Sequence, residues 1–342
     1  MADTTQESIQ RHIDHLGRMS RPGGSLRSDA ATATTANPAW FALGSVAMPT
    51  VERVRLHDRI LAEFRAEKDG VLTDRKAIVL AGPPGAGKST VLGELVQKAG
   101  GNMGEWRVVD ADHFKDMLLR EADADGSYDS WIVPDDVRAL QAAGERFYPR
   151  ELASLVHVES ARLAVRARSE AINAGERLVV DTVLSSPAAA TSLGRTLEAA
   201  GYDVTVVEVE VSLELSRERT QIRWRDGYLE AERGVAGSEL GGRWVPSEYP
   251  ESLYASGAST STCLDAAKNL AASCPVVSRF EQHDVDPSTG KPRPTVVQVR
   301  RAPGGPLVPE RTANAYSVAM DGVARPGGRP ARPQSERDGR SR

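Results

Sequence analysis

The chain has 342 residues, 40% hydrophobic and 26% charged, with a net charge of −4 at pH 7, which fits one core domain with poorly ordered ends and offers no concentrated basic footprint, so nucleic acid is not an expected partner. Its only cysteines, Cys263 and Cys274, are too few for a disulfide framework, and no His or Cys partners stand at zinc spacing. The N-terminus lacks an apolar core and no stretch approaches the roughly 18 to 20 apolar residues of a membrane span, so no membrane contact is expected and the cytoplasm is the expected home.

In chain order, residues 1–50 read as a flexible N-terminal segment, because 20–50 are mostly Ala, Thr, Ser, Pro and Gly with little periodic apolar content. Over 51–67, Val51, Val54, Leu61 and Phe64 recur at helical spacing among charges, which predicts an amphipathic helix closed by Asp69-Gly70. Short apolar runs predict strands at 77–81, 107–109, 177–180, 204–211 and 275–282, the last followed by a turn over 286–290. Helical patterns fill 88–99, 151–174, 187–200 and 213–232. Alternation of this kind predicts an α/β domain over 51–300, with a parallel sheet flanked by helices. The remaining residues, 301–342, are rich in Pro, Gly and Arg and are expected to form a disordered, solvated tail.

The most specific signal is Gly82-Pro83-Pro84-Gly85-Ala86-Gly87-Lys88-Ser89, followed by Thr90, set between the apolar run AIVLA and a helical segment. That context marks a phosphate-binding P-loop, and the domain as P-loop NTPase-like. Glycine-rich backbone turns sharply enough for successive N–H groups to point inward, and the following helix adds its positive end. Lys88 would reach the β and γ phosphates of ATP, and the Ser89 hydroxyl would complete a Mg²⁺ shell.

Acids and arginines downstream point to phosphoryl transfer. Asp110 and Asp112 lie just past the second strand, where a carboxylate can take the proton from an attacking hydroxyl. The third strand ends in LVVDT, which puts Asp181 and Thr182 at the same edge, toward Mg²⁺-bound water or substrate hydroxyls. After the fourth strand come Arg217, Arg219, Arg223 and Arg225, then the run from Gly237 to Gly242 leading into Arg243, a pattern resembling a mobile lid. Arg219 and Arg223 share a helix face, and Arg223 and Arg243 are candidates for neutralising the transferring phosphate.

As a group, GPPGAGKST, VVDADHFK, NAGERLVVDT, AAGYDVTVVEVEVSLELSRERTQIR and GGRWVP resemble the zeta toxin family of P-loop kinases, over roughly 77–290. The resemblance implies that Lys88 and Ser89 hold ATP and Mg²⁺, that Asp112 is the base, that Arg223 and Arg243 act on the transferring phosphate, and that Asp181 contacts a sugar substrate. Family members phosphorylate a hydroxyl of UDP-N-acetylglucosamine, and such toxins are paired with an antitoxin protein. Two departures concern the acceptor. Where the family carries a substrate-contacting Glu this chain has Val165, leaving Glu159, nearly two helical turns earlier, as a substrate-side candidate that would need a different pose, and after Asp181 the run TVLSSP has no basic residue before Arg195. Other hydroxylated acceptors (an antibiotic, a dinucleotide, a polynucleotide end) therefore stay open, as does a non-catalytic ATP-binding module. Restraint of activity would come from a separate antitoxin or from residues 1–50.

Overall fold

The computed structural model of the chain describes residues 6–42, 48–99, 101–286, 288–302 and 304–310. Its centre is the strand β1 (Lys76–Ala81), buried along all but its first residue. A strand covered on both faces must be apolar throughout, which is why AIVLA does not alternate. Parallel neighbours flank it: β2 (Arg107–Asp110) pairs with β3 (Leu178–Asp181), β3 with β1, β1 with β4 (Asp203–Glu210), and β4 with β5 (Val277–Val285). An antiparallel extension, β6 (Pro292–Arg300) and β7 (Leu307–Pro309), completes a seven-stranded sheet of order β2-β3-β1-β4-β5-β6-β7.

On one face Ile78, Leu80, Val207 and Val209 pack with Val91, Leu92 and Val96 of α3 (Lys88–Lys98). On the other, Ala77, Val79, Val204 and Val206 meet α6 (His157–Ala174), α7 (Pro187–Ala199) and α10 (Thr262–Ser273). After β1 the chain adds β2 and β3 on one side of it and β4 and β5 on the other, so the crevice beyond its carboxyl end lies at the topological switch where such sheets bind ligands. The remaining helices are α1 (Gln6–Met19), α2 (Val51–Ala66), α4 (Ala111–Ala124), α5 (Asp135–Ala142), α8 (Leu213–Glu232) and α9 (Glu248–Glu251). Among the described residues no helix is long and apolar enough to cross a membrane.

The P-loop-type α/β sheet expected from the sequence is present, with three corrections. First, the segment expected to be flexible over 1–50 is packed where it is described: α1 buries His12, Leu16 and Met19, and Leu26 and Phe41 are also core residues. Its apolar residues are too sparse to show as a linker-breaking pattern, yet Leu16, Met19 and Leu26 enter the main cluster. Second, the helix expected over 151–174 begins as a 3-10 turn, Pro149–Val156, and becomes α-helical only at His157. Third, the sheet continues past residue 300 into β7, so residues 307–309 belong to the sheet; residues 311–342, where the rest of the expected tail falls, lie outside the described ones, as do 1–5.

A buried ion cluster fastens α1. His12 Nδ1 lies 2.5 Å from Glu145 Oε1 and Nε2 lies 2.8 Å from Glu151 Oε1, with His15 also on Glu145. Burial depresses the His12 pKa, but hydrogen bonds and charge from Glu151 and Glu145 outweigh it and raise it above the ordinary 6.5. The protonated imidazole is thus favoured by folding, so its contribution is complete below pH 6.5 and fades as pH rises through the raised value. We expect thermal stability to fall on that alkaline side in the wild type, and the fall to be shallower in His12→Gln; identical pH profiles for the two proteins in thermal melts would contradict this coupling.

Candidate active site

The loop Gly82–Ser89 leaves β1 and enters α3, as its sequence requires. Gly82 has φ +136°, and a Cβ there would stand 2.4 Å from the Val209 carbonyl oxygen of β4, so only glycine passes this crossing. Gly87 caps α3 in the left-handed region. Outside the loop, α8 holds two consecutive carbonyls: Ser216 Oγ donates to Pro84 O at 2.7 Å, and Arg219 Nη1 donates to Gly85 O at 3.1 Å. In a trans peptide the carbonyl and the next N–H point opposite ways. Pulling these oxygens outward therefore turns the Gly85 and Ala86 N–H groups inward, and Ala86 N–H does cross the loop toward Pro83 O at 3.3 Å. The other arm of Arg219 donates to Gly290 O at 2.5 Å, tying the turn between β5 and β6 to the same loop.

Lys88 Nζ folds back onto Gly82 O at 3.0 Å and stands 4.0 Å from Asp181 Oδ1. Ser89 and Thr90 are exposed at the start of α3. Asp181 ends β3 in register with Asp110 of β2 and Leu80 of β1. Asp110 caps α4, its Oδ1 accepting from Asp112 N at 2.9 Å. This cap places Asp112 in the first turn of α4, where Lys115, one turn on, donates to its Oδ1 at 2.8 Å. Thr182 is occupied locally, its hydroxyl oxygen accepting from Leu184 N at 3.2 Å.

Arg243 closes the ring. Its Nε lies 3.4 Å from Asp112 Oδ2, and its Nη2 donates to Asp112 O at 3.2 Å and to Asp116 Oδ1 at 2.7 Å. Asp116 in turn holds Arg150 at 2.8 Å, and Arg150 binds the Leu240 and Gly241 carbonyls. Arg243 Nη1 is buried and has no acceptor in the protein. A buried cationic N–H left open costs stability unless something anionic arrives to take it. Arg223 is exposed on α8, and its charge lowers the pKa of both Asp112 and Asp181.

The carboxylates differ sharply. Burial pushes Asp112 up, but Lys115, Arg243 and Arg223 outweigh it and hold the pKa at about 2. Burial also raises Asp110, with the Asp112 charge adding to it. Asp181 is pushed up to about 6 by burial and by Asp110 and Asp112, against the opposing pull of Lys88. Asp110 and Asp181 are hard oxygen donors whose charge burial disfavours unless a cation joins them, which fits a magnesium ion. Among the described residues no three His, Cys, Asp or Glu side chains converge on a metal position, so phosphate, water and the Ser89 hydroxyl would have to supply the rest of such a shell.

Of the residues singled out from sequence, the structure brings Lys88, Asp112, Asp181 and Arg243 together with Arg223 in electrostatic reach. Glu159 is a correction. It is fully buried, with Arg53 Nε at 2.6 Å, Arg53 Nη2 at 2.8 Å and His57 Nε2 at 2.6 Å, and serves α2 rather than the crevice. The mobile lid is another: a Cβ on Gly241 would meet Tyr148 Cβ at 2.3 Å and one on Gly242 would meet Trp224 O at 1.9 Å. These glycines permit close packing rather than movement. Sequence reading gave no role to Lys115, Ser216, Asp116 or Arg150; only Lys115 carried a signal, its i+3 spacing from Asp112.

A family model described as Zeta toxin matches residues 65–284. No curated protein matches the chain. Similar solved structures include the AvrRxo1-ORF1:AvrRxo1-ORF2 complex with sulphate ions, 18% identical over 80% of this chain and 74% of that one, with a TM-score of 0.49. The same pair with ATP is 16% identical, covering 83% and 77%, with a TM-score of 0.47. The PezAT chromosomal toxin–antitoxin system of the human pathogen Streptococcus pneumoniae is 14% identical, covering 74% and 84%, with a TM-score of 0.45.

Two outcomes are expected. Arg219→Ala should weaken ADP binding about tenfold, the size of a lost charge-assisted hydrogen bond of about 1.5 kcal/mol, by calorimetry. Glu159→Ala should cost about 3 to 5 kcal/mol in urea unfolding because it strands Arg53 and His57, while the ADP affinity of the folded fraction stays unchanged.

Proposed function

Because this chain belongs to the zeta toxin family, we propose that it is an ATP-dependent phosphotransferase that moves the γ-phosphate onto a hydroxyl of a small molecule, a nucleotide sugar such as UDP-N-acetylglucosamine being the acceptor implied by the family. The observation that carries this reading is Asp112, clamped between Lys115 and Arg243 and within electrostatic reach of Asp181, which Lys88 faces, because it supplies an anionic acceptor for a proton next to an anion cradle.

In the proposed mechanism the inward N–H groups of Gly85 and Ala86 and the positive end of α3 hold the phosphates, and Lys88 leaves the Gly82 carbonyl to reach them. Magnesium, when bound, spreads the charge of the β and γ phosphates, and Ser89 with Asp181 or Asp110 would hold it. Asp112, with a pKa of about 2, is ionised at every working pH. It is a weak base, which suits phosphoryl transfer: the transition state is loose and the hydroxyl proton leaves late, so orienting the nucleophile matters more than early proton removal. The open Nη1 of Arg243 takes an oxygen of the transferring group. Arg223, one residue before the buried Trp224, approaches from α8.

A second acceptor class has one observation in its favour. Glu159 is sealed in the Arg53–His57 cluster and Val165 is exposed, so the substrate-side acid implied by the family is missing, and a dinucleotide or another hydroxylated acceptor takes the same machinery. Restraint by a separate antitoxin fits better than restraint by the N-terminal segment, whose hydrogen bonds include those to Trp131, Asp136, Glu145, Glu151, Ser154 and Trp244 rather than to the P-loop. The reaction is proposed to run in the cytoplasm, in a unit that extends the 51–300 limits read from sequence to include 6–42 and β7.

Incubation with labelled ATP, magnesium and a panel of nucleotide sugars and dinucleotides should show one acceptor gaining label. Asp112→Asn should lower that transfer by about 10²- to 10⁴-fold, the usual worth of a positioned base, and Lys88→Ala should abolish nucleotide binding. A wild-type protein that binds ATP but labels nothing in the panel, or an Asp112→Asn variant with unchanged transfer, would sink the kinase reading.

A further inference from the structure

The arginines proposed to meet the transferring phosphate share an unassigned feature: each is followed in the chain by a tryptophan, Arg223 by Trp224 and Arg243 by Trp244. The two indoles meet edge to face with centroids 5.5 Å apart. Each spends its single N–H on a group fixed by the N-terminal segment. Trp244 Nε1 donates to Ser20 Oγ at 3.0 Å. Trp224 Nε1 donates to Glu151 Oε1 at 2.8 Å, the oxygen that also faces His12 Nε2 at 2.8 Å.

Most of this network is buried, Trp244 being its partly exposed end. Trp224 and Glu151 are essentially inaccessible, and His12 and Ser20 nearly so. The His12 ring lies between aromatic neighbours, 4.6 Å from Phe147, 5.0 Å from Tyr228 and 5.9 Å from Trp224 in a stacked pose. The remaining oxygen of Glu151 accepts from Tyr148 N at 2.8 Å, and Tyr148 is the residue that forbids a side chain at Gly241. Gly242 sits against the Trp224 carbonyl at a distance only glycine allows. The backbone that leads into Arg243 is thus set by Trp224 and Tyr148, and both are set by Glu151 and His12. A side chain on a rigid, fully packed support holds its charged end more closely than one on a free loop.

We propose that His12 and Ser20 are positioning residues of the phosphoryl-transfer site: docking of α1 and the turn after it fixes the Trp224–Trp244 pair, and through it the reach of Arg223 and Arg243. The N-terminal segment is on this view a working part of the site rather than an appendage. The proposal rests on the kinase reading, since the arginines matter only if a phosphoryl group passes between them.

The test separates the phosphate cradle from the arginines. ADP alone reports the P-loop, whereas ADP with aluminium fluoride also reports the groups that meet a transferring phosphoryl group. Calorimetry with magnesium on full-length wild type, His12→Gln, Ser20→Ala and Trp244→Phe should give ADP dissociation constants within about twofold of one another. The extra affinity conferred by aluminium fluoride should drop at least about tenfold in the three variants, matching Arg243→Ala. Ser20→Ala and Trp244→Phe remove the same hydrogen bond from its two ends, and Ser20→Ala leaves the indole pair intact, so it reports even if His12→Gln fails to fold. Variants that melt and bind ADP as wild type does and keep the full aluminium fluoride effect would overturn the positioning role alone. A wild type with no such effect, or an Arg243→Ala variant that retains it, would overturn the kinase reading and this proposal with it.

Discussion

Three carboxylates gathered at the carboxyl edge of adjacent strands are the constraint from which the rest of this site follows. Asp110 and Asp181 stand side by side because β2 and β3 are parallel and in register, and Asp112 enters the group because Asp110 caps α4. Removed from water, like charges at such spacing raise one another's pKa, as Asp110 and Asp181 show. The fold answers with cations from separate elements: Lys88 from the P-loop, Lys115 from α4, Arg243 from the segment after α8, and Arg223 from α8 itself. Asp112 takes the larger share of these and is driven the other way, to about 2. Neighbouring acids thus acquire different chemistry, one permanently ionised and one near 6 that answers to its surroundings.

Holding this arrangement requires backbone to approach backbone, and glycine decides where that is allowed. Gly82 lets β1 pass the Val209 carbonyl, and Gly242 lets the Arg243 segment press on Trp224. The segment 237–242, expected to form part of a mobile lid, is packed at Gly241 and Gly242, because permissiveness serves close contact as well as motion. Which of these applies depends on what lies opposite, and Tyr148 and Trp224 come from distant parts of the chain. The same holds for α8, whose polar sequence reads as a solvated charged helix. Its Ser216 and Arg219 instead take the outward carbonyls of the P-loop, a role set by the pairing of β4 beside β1 and invisible in local charge.

Glu159 and the N-terminal segment show the opposite error, function expected of one and disorder of the other. Glu159 stands nearly two helical turns before the place where the family carries an acid, but helical rotation turns it toward Arg53 and His57 of α2. Residues 6–42 carry too few apolar side chains to announce a core element, yet Leu16, Met19, Leu26 and His12 all enter the interior. Burial of a short amphipathic helix is a property of the surface waiting for it. Here that surface includes Glu145 and Glu151, more than 120 residues away in the chain, as the separations of 133 and 139 show.

Sequence by itself determined what depends on neighbours along the chain: the apolar strands, the P-loop between β1 and α3, the strand-end acids Asp110, Asp112 and Asp181, and the family to which these belong. The carboxyl ends of parallel strands share one edge of the sheet, so residues placed just after them are legible as edge residues from sequence. Tertiary structure alone decided which cations meet which acids, which glycines are packed rather than mobile, and that α1 is fastened beneath the arginines. Those outcomes depend on side chains that converge from remote segments, and the energy that selects among them (desolvation, close packing and paired buried charge) exists only once the chain has closed around them.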